Sequence, residues 1–184
     1  MPSQMRTHVL DIIRGRHPHM LQFQAPFFDD TAKALKAGSC VRTVQVNGLP
    51  YFAAGVGSET MVPLFLWNKH SDPDVSNDGG DPATDKFPWV SAHPSRDDMA
   101  WAVPALACVE LATTEFVHAA YVVNDHLTSA ATGINAGKIT KGTPYTDTIC
   151  GIVSSGVRVS GVDTDAYDND ILVFWAHYIP PIPA

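Results

Sequence analysis

VRTVQVNGLPYFAA, residues 41–54, is the stretch on which the reading of the whole chain turns. Residues 41–46 alternate in the two-residue period of a strand. Asn47-Gly48 then supplies the pair that best tolerates the positive φ angles of a two-residue hairpin turn, and residues 49–54 return as a second strand.

Working outward, residues 62–67 (VPLFLW) form a short apolar run suited to a strand covered on both sides. Residues 68–88 are rich in Asp, Asn, Gly and Pro and read as a long surface loop or a disordered excursion. Residues 96–108 (RDDMAWAVPALAC) are compatible with a short helix begun by two aspartates, against which Pro104 argues. Strand-like text resumes in CVELATTEF, AAYVV and GKIT, with a turn at Asn124-Asp125. It continues in TICGIVS, residues 148–154, which the Ser155-Gly156 pair is expected to end. ILVFWAHYI, residues 171–179, places Leu172, Phe174, Ala176 and Tyr178 on one face and Val173, Trp175 and His177 on the other. The prolines of the closing PPIPA lack the amide donors that a ladder needs.

Towards the beginning, Asp29 or Asp30 can cap a short helix through residues 31–36, with Gly38 in the stop position. Residues 1–24 have no clean period and read as an arm with at most a turn or two of helix around residues 7–14. Short strands, frequent turns and no βαβ rhythm predict a mainly β protein. The expected architecture is an antiparallel β-barrel or β-sandwich with an extended N-terminal arm and one or two short helices. The arm is assigned residues 1–36 and the β-rich body residues 37–184.

Composition narrows the functions. The chain has 184 residues, 45% hydrophobic and 17% charged, so a core can form without disulfides or metals as staples. The net charge of −7 and the scattering of the twelve Lys and Arg disfavour direct binding of nucleic acid. No run approaches the length of a transmembrane helix, and the first residues lack a signal-peptide core, so no membrane partner and a cytosolic site of assembly are expected. Cys40, Cys108 and Cys150 are odd in number and lie in apolar contexts, which reads as buried thiols in a reducing compartment.

Residues that could carry chemistry do not assemble into a motif. Asp72, Asp74, Asp78 and Asp81 offer hard oxygen ligands of the kind calcium takes. The EF-hand frame fails, however, because Asn77 stands where glycine is needed and Ala83 where glutamate is needed. Asp163, Asp165, Asp168 and Asp170 read as a solvated turn. The eight histidines show no zinc-ligand spacing, and neither GVGSE nor GIVSSG sets serine in a nucleophile elbow. No cofactor and no catalytic residue are expected. The aromatic residues, Trp67, Trp89 and Trp101 among them, are expected to fill core and contact surfaces.

The order of several segments resembles a known family. Residues 109–130 (VELATTEFVHAAYVVNDHLTSA), 137–142 (GKITKG), 149–156 (ICGIVSSG) and 171–175 (ILVFW) are similar to head decoration proteins of tailed bacteriophages, also called capsid cement proteins. Residues 37–52 (AGSCVRTVQVNGLPYF) fit as well, as does PLFLW followed by its Asp-x-Asp turn over residues 63–74. The resemblance covers residue 37 to the end. It implies a body seated on the capsid exterior at junctions between major capsid subunits, giving cohesion rather than catalysis.

The expected partners are therefore the major capsid protein and further copies of this chain, a homotrimer before a dimer. Residues 20–28 (MLQFQAPFF) are apolar for a chain end, so Met20, Leu21, Phe23, Phe27 and Phe28 are the expected contact residues. The competing readings are a small β-barrel enzyme or metal- or ligand-binding protein, and a phage tail or baseplate component.

Overall fold

The computed structural model describes residues 10–14, 23–25, 28, 32, 35–56, 62–66, 100–105, 109–158 and 170–182. Eleven strands run through them: β1 (Leu10–Arg14), β2 (Phe23–Ala25), β3 (Cys40–Val46), β4 (Leu49–Ala54), β5 (Leu64–Leu66), β6 (Ala100–Pro104), β7 (Glu110–Thr113), β8 (His126–Ser129), β9 (Ile139–Lys141), β10 (Ile149–Arg158) and β11 (Ile171–Ile179). They form two antiparallel sheets, one of order β1-β7-β11-β10-β8-β9 and one of order β2-β6-β5-β3-β4. The sheets are not closed into a barrel. The expected mainly β architecture is thus present in its two-sheet form.

The hairpin that decided the fold is β3 and β4, paired from Val41↔Ala54 to Val46↔Leu49. Asn47 at φ 52° and Gly48 at φ 80° make the turn that follows the right-handed strand twist. The apolar run ends in β5, whose three residues are all buried between β3 and β6. In β11, Leu172, Phe174 and Ala176 enter the main core, while Val173 joins a separate cluster with Ala112 and Ile171.

Several local expectations are corrected. Residues 100–104 are strand β6 rather than helix. Pro104 stands at the strand's last position, opposite Leu64, and the Ala105 amide takes over the ladder by donating to the Pro63 carbonyl at 2.8 Å. Residues 10–14 are strand as well, pairing with β7, in keeping with the β-branched pair Ile12-Ile13. AAYVV is not a strand: Val122 and Val123 are exposed in a turn. Its geometry is set by Asn124 at φ 74° and by the Asp125 carboxylate, which accepts from the Val122 amide at 2.9 Å. β10 does not stop at Ser155-Gly156. It passes through an irregularity between Val153 and Gly156, where Gly156 adopts φ 81°, and pairs with β11 as far as Arg158.

Of the expected helix at residues 31–36, Ala32 has helical backbone and the Leu35 amide donates to the Ala32 carbonyl at 3.1 Å. Gly38 has φ 88°, the left-handed conformation of a helix stop. Within the 1–36 segment, β1 and β2 each pair with an edge of the body. Among the described residues no helix is long and apolar enough to cross a membrane.

The sheets meet through a core containing Cys40, Phe65, Leu111, Phe116, Leu127, Ile139, Cys150, Leu172 and Phe174. They are also joined by backbone. The Cys40 amide donates to the Gly137 carbonyl at 2.8 Å, and the Val56 amide to the Ser129 carbonyl at 3.3 Å. Gly55 makes the close approach possible: at φ +67°, a Cβ there would lie 2.0 Å from the Ala130 carbonyl oxygen.

Candidate protein interaction surface

The five-stranded sheet curls until its two edges, β2 and β4, come near each other. Just beyond β2 the Phe28 amide donates to the Phe52 carbonyl of β4 at 2.9 Å, and among the described residues no ladder joins the two edges. Phe52 is buried, as is Ala25 at the end of β2. Phe23 and Phe28 are not: they are 52% and 49% exposed. Full burial of such a ring is worth about 1.5–3 kcal/mol, so each half-exposed ring has apolar area left to bury against a partner.

Of the five expected contact residues, Phe23 lies on the edge strand β2 and Phe28 just beyond it, each about half exposed. Met20, Leu21 and Phe27 lie outside the described residues, as do the calcium candidates Asp72, Asp74, Asp78 and Asp81.

Exposed apolar side chains unanticipated from sequence occupy other corners. Leu49 is exposed at the tip of the β3–β4 hairpin, and Val122 and Val123 project from the turn before β8. That turn is braced by Lys141, whose ammonium lies 2.6 Å from the Asp125 carboxylate and 5.8 Å from the Tyr121 ring centroid. The Lys141 hydrogen bond, and after it the Val122 amide, hold the Asp125 carboxyl below its ordinary range. Tyr121 is pushed the other way, chiefly by burial, and its hydroxyl donates to the Val117 carbonyl at 2.6 Å. Tyr145 and Ile182 form a further exposed pair, tied by the Ile182 amide donating to the Tyr145 carbonyl at 2.8 Å. The sequence signal for Val122 and Val123 was present in Asn124-Asp125, where the Asp125 side chain reaches back three residues to the Val122 amide.

An open hollow of about 440 Å³ lies beside this pair, lined among others by Thr128, Ser129, Thr140, Asp147, Thr148 and Pro181. Its polar groups are largely engaged: Thr128 Oγ1 donates to the Thr148 carbonyl at 2.9 Å, and the Asp147 carboxylate accepts from the Thr143 amide at 2.7 Å. Elsewhere Glu110, buried on β7, accepts a 2.5 Å hydrogen bond from Ser154 of β10 and so links two strands of the larger sheet. Among the described residues no three His, Cys, Asp or Glu converge as metal ligands.

No family model, no curated protein and no solved structure matches this chain.

Proposed function

We propose that this chain is a virion structural protein of a tailed bacteriophage, a decoration or cement protein that binds the outside of the capsid and bridges major capsid subunits. The observation that carries this reading is the exposure of two aromatic rings, Phe23 on the edge strand β2 and Phe28 just beyond it, on a two-sheet body. An edge strand offers unpaired amides and carbonyls, and the exposed rings beside it offer contact area that the isolated chain does not bury. Repeated around a shell, many contacts of modest strength sum to large cohesion. The order of segments shared with decoration proteins supports the same reading, and a homotrimer on local threefold positions is its expected assembly.

The test is co-sedimentation of the purified full chain with the cognate capsid shells, with the mass of the free protein measured in solution. Saturable addition at a fixed ratio to major capsid protein is expected. A chain that stays in the supernatant at every concentration overturns the proposal.

The hydroxyl-lined hollow favours a second reading, a module that binds a small polar ligand. A crystal soaked with candidate sugars and metal salts separates the two, since this reading requires an ordered molecule in contact with Ser129 or Thr148.

A further inference from the structure

We propose that Cys40 and Cys150 are an oxidisable pair that closes to a disulfide between the two sheets, converting a packed sandwich into a covalently stapled one. Cys40 begins β3 in the smaller sheet and Cys150 lies in β10 of the larger one. Both are free thiols with no solvent exposure, they belong to the one core cluster that joins the sheets, and Cys150 is near enough to push the Cys40 thiol up.

The surroundings hold the pair in place. Cys40 is paired with Phe65, whose ring packs on Phe174 of the opposite sheet with centroids 5.3 Å apart. The Cys40 amide and carbonyl are both bonded, to Gly137 and Gly55. In β10 the register shifts between Ile149 and Gly151, so strict alternation is broken at Cys150, which is buried with Val153 while Ile152 is half-buried. The buried Ser129 hydroxyl lies near Cys40 and favours its thiolate. Burial works more strongly in the opposite direction, and the Cys150 thiol adds to it, so the resting thiol is protonated.

The oxidant must therefore be small and must act during a local opening; hydrogen peroxide meets both conditions. One thiolate attacks a peroxide oxygen, breaking the O–O bond, and with one proton taken up it yields a sulfenic acid and water. The second thiol then attacks that sulfur, forming the S–S bond and expelling the sulfenic oxygen as a second water. The two thiols lose two electrons and two protons, and the peroxide is reduced.

The full chain carrying Cys108→Ser is exposed to dilute peroxide under native conditions, then digested without reductant and mapped by mass spectrometry. The expected product is one linked peptide pair containing Cys40 and Cys150, lighter by two hydrogen atoms and restored by reductant. Because the link closes a loop on the order of a hundred residues, the melting midpoint should rise by on the order of 10 °C. The same treatment of Cys150→Ser should give neither link nor rise. If that variant is insoluble, Cys150→Ala takes its place. Irreversible oxidation of either cysteine without a link overturns the proposal, as does an unchanged melting midpoint in the linked protein.

Discussion

The ring of Phe65 in β5 meets the ring of Phe174 in β11 across the two sheets, with centroids 5.3 Å apart and planes inclined at 59°. Both side chains are wholly buried, and Gly151 lies directly against Phe174, where an added Cβ would sit 2.6 Å from the ring. This is the point at which the sandwich is tied through side chains. Phe65→Ala should cost about 3–5 kcal/mol, read as a lower urea midpoint at unchanged slope. Combining it with Phe174→Ala should give less than the sum of the single losses, because each removes the other's partner, with a coupling of about 0.5–1.5 kcal/mol.

Two glycines with similar backbone should respond very differently to alanine. Gly48 has φ +80° at the hairpin turn with nothing within 4 Å of an added Cβ, so Gly48→Ala meets only the intrinsic left-handed penalty. That penalty is about 1–2 kcal/mol. Gly55 has φ +67°, and its added Cβ would lie 2.0 Å from the Ala130 carbonyl oxygen. Gly55→Ala must therefore push the β4 end away from the loop after β8 and break the backbone link from Val56 to Ser129. Thermal melts should show a modest loss for the first variant, and little soluble folded protein should be recovered for the second.

How far the fold was legible follows from the same particulars. The β3–β4 hairpin was readable because Asn47-Gly48 states its turn chemistry locally, and β11 because ILVFWAHYI is a nearly unbroken apolar run of strand length whose first four residues are all buried. β6 was hidden by Pro104. A proline argues against a central strand unless it falls at the strand end, and that placement is decided by pairing with Leu64, a residue forty positions earlier. The valines of AAYVV carry strand propensity, but tertiary context leaves them in a turn that Asp125 and Lys141 hold. At the candidate surface, the apolar excess around Phe23 and Phe28 could be read directly. The position of Phe28 beside β4 could not, because it depends on the curl of a sheet built from five separate segments.

The bridge between Asp125 and Lys141 makes an acid-side prediction. The Asp125 carboxyl is held below its ordinary value of 3.8, so between that value and the lower folded value the native state binds fewer protons than the unfolded chain. Its stabilising contribution is complete above the ordinary value and disappears as the pH falls through the folded one. Asp125→Asn should therefore lower the melting midpoint near neutral pH and match the wild type in strong acid. The difference at neutral pH should shrink in high salt, because the pair sits at the solvent margin. A difference independent of pH would show that the effect does not come from the ionised Asp125 carboxylate.

Replacing Phe23 and Phe28 with aspartate should separate binding from folding. Both rings are about half exposed, so their loss removes little buried area from the isolated chain, and the melting midpoint should fall by only a few degrees. At an interface the same substitutions place charge where apolar contact is needed. A buried unpaired carboxylate is costly enough to reduce association by tenfold or more. Co-sedimentation with capsid shells should then fail for the double variant, while Val122→Asp, in a different corner of the molecule, retains binding. If the double variant binds normally and Val122→Asp does not, the docking face is the turn before β8, and the margin between β2 and β4 faces solvent.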